Sequence, residues 1–208
     1  MYDFLLDLDE YFCERYANYD KLCVLNGYRM PTMQATTTDD FGRTFAYTLP
    51  ANTMRLALQE KKTELLQQLK EKIVDKGFSF SFRPVGLFRR RKYKRSKIAP
   101  KKLFLGILER NKLTQADLQN ELTIDSEILD KIFKGNFAPT KNTIYSIALV
   151  GHLSIEETSA LLIANGYEIN YASEREVVIS YLLENKVFAR PMIEAAFAEY
   201  KVSNLFIK

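Results

Sequence analysis

Apolar positions recur every three to four residues from the start of the chain, with Phe4, Leu8, Phe12, Tyr16 and Tyr19 on one side of a predicted helix. The following TMQATTTDDFGRTFAYTLP surrounds Asp39, Asp40 and Gly42 with Thr and aromatic residues and closes on Pro50, which predicts a hairpin. Helical spacing returns from Asn52 to Lys76, through Met54, Leu58, Leu65, Leu69 and Ile73, with Asn52 or Thr53 as N-cap and Gly77 as the stop. The period then shortens to two. In FSFSF, residues Phe78, Phe80 and Phe82 share one face of a strand and Ser79 and Ser81 the other, and Pro84 and Gly86 end it or confine it to a sheet edge. Residues 1–86 therefore read as a small α+β domain in the order αββαβ.

From Pro100 onward the pattern predicts successive helices and no strand. Helix starts fall at Thr114, Thr140, Ser154 and Ser173, the last two in the sequences SIEE and SERE, which have the form of capping boxes. Gly135 and Gly166 supply stops, and Pro191 fits the first turn of a final helix, PMIEAAFAEYKV. The fold class is thus α+β: an αββαβ domain at 1–86, a basic linker at 87–102 and an all-α domain at 103–208.

Within the all-α part, LTQADLQNELTIDSEILDKIFKGNFAPTKNTI carries apolar residues at Leu118, Leu122, Ile124, Leu129 and Ile132, then Gly135 and Pro139. This resembles the helix-turn-helix of the XRE family, small helical domains similar to the Cro and lambda repressors. The motif lies at about 113–135, and the resemblance covers about 101–165. Gln119 stands where the family usually has a small residue, and Thr123 where its turn usually has Gly. The resemblance implies a lambda-repressor-like domain whose second helix docks on a DNA duplex. The exposed positions of that helix are expected to be Asp125, Ser126, Glu127, Asp130, Lys131 and Lys134. The later helices look like the extension that accompanies some such domains. Residues such as Val177, Val178, Tyr181 and Leu182 read as core, with pairing into a homodimer as the alternative use of that face.

Composition adds limits. The 208 residues are 47% apolar, enough for one large or two small cores. No apolar run is long enough to span a bilayer, and MYDFLLDLDE carries acids where a secretory leader would carry Lys or Arg, which predicts a cytoplasmic protein. Cys13 and Cys23 match no metal motif and read as reduced, buried thiols, and a single histidine, His152, leaves His-based metal sites and triads unsupported. No cofactor and no metal are expected.

Charge changes the picture most. Residues 83–102 hold ten Lys or Arg and no acid, so a chain of net charge +4 is net −6 outside that segment. KGFSFSF superficially resembles the signature strand of the RNA-recognition motif, but a long helix precedes it where that family has a hairpin, and burial of the Phe face is favoured. The basic run is either a solvated linker or a phosphate grip, and its position directly before the helix-turn-helix favours the grip. The candidate nucleic-acid interface is accordingly Arg89, Arg90, Arg91, Lys92, Tyr93, Lys94, Arg95, Lys97, Lys101, Lys102, Gln115, Ser126, Lys131 and Lys134.

Three functions fit. The first is a DNA-binding regulator of transcription. The second is an inhibitor borne by a phage or plasmid, similar to anti-CRISPR proteins that join a helix-turn-helix to another domain, which binds RNA or a nucleoprotein. The third is a His-less ribonuclease using Arg29, Arg43, Tyr47, Arg55, Lys61 and Arg83 with Asp39 and Asp40, although no spacing specifies such a site. The expected partner is DNA or RNA, with no membrane.

Overall fold

The computed structural model describes residues 4–17, 34–39, 41–48, 62–74, 83–86, 99–202 and 205–208. Tyr19, Cys23, the start of the second predicted helix with Met54 and Leu58, the FSFSF strand and the basic residues 87–98 lie outside the described residues. The described chain is mixed and mostly helical. Its helices are α1 (Phe4–Arg15), α2 (Lys62–Lys72), α3 (Pro100–Arg110), α4 (Gln115–Glu121), α5 (Ser126–Phe133), α6 (Lys141–Val150), α7 (Ile155–Ala164), α8 (Glu174–Glu184) and α9 (Arg190–Glu199). Its strands are β1 (Gln34–Thr38), β2 (Thr44–Thr48), β3 (Arg83–Pro84) and β4 (Phe137–Ala138).

The core is built on α6 and α8. Their residues 142–149 and 175–183 are buried on every side, which is why neither helix shows a clean apolar stripe. Most polar groups inside this pair are matched to one another, the buried Ser180 hydroxyl being the exception. The Glu176 carboxylate accepts from Lys141 Nζ at 2.6 Å, Tyr145 OH at 2.7 Å and the Asn170 amide at 2.8 Å. Arg175 Nη1 donates to Asn142 Oδ1 at 2.9 Å.

This network corrects one expectation. Ser154 forms its capping box with Glu157, but Ser173 caps α8 without a side-chain bond, because Glu176 is turned inward to Lys141 and Tyr145. Thr114 and Thr140 cap α4 and α6 as expected, and Gly135 and Gly166 end helices at φ of 72° and 83°, backbone that glycine adopts without a Cβ penalty.

The hairpin is present as β1 paired antiparallel with β2, Thr36 opposite Ala46, closed by Asp39. The predicted stripes of the first and second helices are buried too, at Leu8, Phe12 and Tyr16 and at Leu65, Leu69 and Ile73. Among the described residues they pack with the C-terminal helices. α1 lies along α8, the Phe12 ring sits 4.7 Å from that of Tyr200 just beyond α9, and α1 and α2 join the apolar core of the C-terminal helices. Lys70 of α2 reaches Asp9 Oδ1 at 2.8 Å and Glu199 Oε1 at 2.6 Å, joining three helices. In the hairpin, Thr36, Thr37 and Thr38 are exposed.

The C-terminal half also contains strand structure where none was expected. β4 pairs antiparallel with β3, Arg83 opposite Ala138, and Ile207 bridges Leu122. Pieces this short are below the length at which alternation can be read. Cys13 is half-buried rather than buried. Among the described residues, no helix is long and apolar enough to cross a membrane.

Candidate nucleic-acid interface

α4 and α5 are joined by the short turn Leu122 to Asp125, and the five apolar positions of the sequence pattern, Leu118, Leu122, Ile124, Leu129 and Ile132, are all buried. Thr114 starts α4 with a reciprocal cap: its hydroxyl accepts from the Asp117 amide, and Asp117 accepts from the Thr114 amide at 2.8 Å. Hydrogen bonds from the Thr114 side chain and backbone hold the Asp117 carboxyl below its usual range. Asp125 caps α5, its Oδ1 accepting from the Glu127 amide at 2.7 Å.

The charges on α5 are largely spent on each other. Lys131 Nζ bonds Glu127 Oε1 at 2.6 Å, and Lys134 Nζ bonds Asp130 Oδ2 at 2.6 Å. Lys131 also lies 5.3 Å from the centre of the Phe137 ring. With Asp125 turned back onto the helix's own amides, the segment from Asp125 to Lys134 carries three acids and two cations, and each of its two lysines is paired with a carboxylate four residues earlier.

No protein-family model, curated protein or solved structure matches the chain.

The remaining candidates divide by position. Arg89, Arg90, Arg91, Lys92, Tyr93, Lys94, Arg95 and Lys97 lie outside the described residues. Lys102 is exposed in the first turn of α3, Ser126 is exposed at the start of α5, and Gln115 is half-buried at the start of α4. Lys101 is engaged: its Nζ donates to the Lys134 carbonyl at 3.0 Å, at the C-terminal end of α5 where the helix dipole favours a cation. Its stem crosses Gly135 so closely that a Cβ there would come within 2.9 Å of Lys101 Cδ.

Both flanks of the basic segment are therefore fixed to the same place. The chain enters it from β3, held by β4 and by the Val85 amide donating to the Asn136 carbonyl at 2.8 Å, and leaves it at Lys101 against Lys134 and Gly135. Residues 134–138 receive both ends. The sequence reading missed this clasp, and its only trace there is the Gly135 to Pro139 loop that follows α5.

Of the residues considered for catalysis, the structure describes the side chains of Asp39 and Arg43. Asp39 accepts from the Phe41 and Arg43 amides at 3.0 and 2.8 Å and pairs with Arg43 Nε at 3.3 Å, so this carboxylate and guanidinium shape the hairpin turn. Arg29, Asp40, Arg55 and Lys61 lie outside the described residues. Val177, Val178, Tyr181 and Leu182 are buried in the chain's own core, so pairing of two copies would have to use another surface.

Proposed function

We propose that the protein binds nucleic acid as a regulator, docking the α4–α5 unit on a duplex while the basic segment 89–102 grips phosphates. The observation that carries this reading is the clasp at 134–138, which pins both ends of a ten-cation stretch beside α5. α5 has little charge of its own to offer a polyanion, and a basic segment whose two ends are held next to α5 supplies the missing cations. A homodimer reading two half-sites fits this use.

The test is duplex binding over a range of salt with Arg89→Ala, Arg90→Ala and Arg91→Ala combined. Each lost phosphate contact lowers the slope of log K against log salt by about 0.9. The triple variant is expected to lose a slope of up to about 2.7 and to bind all duplexes more weakly to a similar degree. Unchanged affinity and slope would sink the phosphate grip.

The acids of α5 favour a second reading, an inhibitor that meets a nucleoprotein rather than bare DNA. The excess of one acid over the cations of α5, with the Glu127 side chain 75% exposed, suits a basic protein surface, while the basic segment takes the RNA of the same complex. This predicts tighter binding to structured RNA or to a ribonucleoprotein than to any duplex. Crosslinking and sequencing of the nucleic acid that copurifies with the protein separates the two.

A further inference from the structure

A cleft of about 480 Å³ opens between the end of α6, the loop before α9, α9 itself and the segment 205–208. Leu149, Ile193, Phe197, Val202, Leu205 and Ile207 supply its apolar lining, which they share with charged side chains. Its volume is in the range of small-molecule sites. One wall is a pair of flat rings: His152, held at φ 55° just after α6, stacks on Phe188 with centroids 4.6 Å apart and planes 11° from parallel. The charged residues at the mouth balance. Arg190 and Glu194 are paired at 2.8 Å, and Glu121 and Lys208 are of opposite sign, with Lys208 Nζ on the Gln119 carbonyl.

The floor of this cleft also holds the turn between α4 and α5. The Thr123 amide donates to the Phe206 carbonyl at 3.0 Å, and the Lys208 amide donates to the Glu121 carbonyl at 2.9 Å. Lys208 Nζ donates to the Gln119 carbonyl at 2.9 Å, and the Phe206 amide to Ser146 Oγ at 3.0 Å. Alternate side chains of this short piece, Leu205 and Ile207, line the cleft while its backbone pairs with the turn.

We propose that the cleft binds an uncharged, flat apolar small molecule, and that its occupation is coupled to the seating of residues 205–208 on the α4–α5 turn. The ligand class follows from the chemistry of the walls. The apolar side chains supply affinity by removing apolar area from water, the ring pair supplies a stacking face, and the two acids and two cations of the lining sum to no net charge that would draw an ion. The coupling follows from linkage: a ligand resting on Leu205 and Ile207 binds only the seated arrangement, and so stabilises it. This goes beyond nucleic-acid binding and does not depend on it.

The experiment titrates the full chain with N-phenyl-1-naphthylamine, an uncharged apolar fluorophore, and follows amide hydrogen exchange at Thr123 and Lys208. The expected result is saturable fluorescence enhancement and exchange at those two amides slowed at least about fivefold, more than in α8, in keeping with a coupling of ordinary size. Leu205→Trp, which fills the cleft, and Phe188→Ala, which removes half of the ring wall at a partly buried position on the edge of the core, should each weaken binding about tenfold. The Arg89, Arg90 and Arg91 triple variant should bind the fluorophore as the parent does, whatever becomes of its nucleic-acid binding. The proposal is overturned if the fluorophore does not saturate, if Phe188→Ala binds it unchanged, or if exchange at Thr123 and Lys208 does not respond. The anionic analogue 8-anilinonaphthalene-1-sulfonate should bind more weakly, and tighter binding of it overturns the assignment of an uncharged ligand.

Discussion

Thr114 and Ser154 each close a ring of two hydrogen bonds at a helix start, so replacing either by Ala leaves an amide of the first turn without its acceptor. Thr114→Ala and Ser154→Ala are each expected to cost about 1 kcal/mol of folding free energy. Ser173→Ala should cost less than about 0.5 kcal/mol, because the Ser173 side chain makes no cap bond. Denaturant melts of the three variants check the order. Ser154 and Ser173 carry the same pattern in the sequence, and only the structure separates them. Capping propensity is local, whereas the partners that draw Glu176 away come from Lys141 and Tyr145, more than thirty positions upstream. The candidate site divides in the same way. The identity of Lys131 and Lys134 was legible, but their pairing with Glu127 and Asp130 depends on rotamers that sequence spacing permits without requiring.

Among the elements, helices with an apolar stripe were read well, and α4 and α5 had every buried position in register. Helix ends were harder. Lys112, His152, Lys186 and Lys201 adopt positive φ just past α3, α6, α8 and α9, a place where the sequence signal is glycine. The next residues, Leu113, Leu153, Val187 and Val202, fold back onto the core, and the basic side chains lie where the helix dipole favours them. Packing thus overrides the local preference. α2 shows the same override: its stripe was plain, but its docking partner was not, since that depends on Lys70. This ammonium is 8% exposed between two carboxylates and lies 4.8 Å from the centre of the Tyr200 ring. Lys70→Met removes the cation and leaves Asp9 and Glu199 facing each other. The buried-pair penalty is reduced here because both acids reach solvent, so the expected loss is about 1–3 kcal/mol. Hydrogen exchange should show α2 opening before α6 and α8 in this variant. Equal loss of protection in all three would mean that Lys70 does not hold α2 specifically.

For the whole molecule, the buried tyrosines set a limit at high pH. Tyr145 OH donates to Glu176 and Tyr200 OH to Asp9, both at 2.7 Å. Burial first, and then the adjoining carboxylates, push both phenols well above their usual value of 10.0. The folded state therefore keeps protons that the unfolded chain gives up above about pH 10. Stability from these groups is complete below that pH and falls as pH rises beyond it. Thermal melts from pH 8 to 11.5 should show a steeper fall above pH 10 for the parent than for Tyr200→Phe, and equal slopes would remove Tyr200 from the account. That tyrosine also belongs to the contacts that tie α1 to the far end of the chain. Tyr16 bonds Glu174 and Tyr200 bonds Asp9 across 158 and 191 positions of sequence. On the ribosome, α1 emerges long before α8 and α9 exist to receive it. Its stripe of Leu8, Phe12 and Tyr16 must then remain in water, or in the grip of a chaperone, until most of the chain has been made. The earliest of the described helices to be synthesised is among the last to be covered, and that interval is when the protein is most exposed to aggregation.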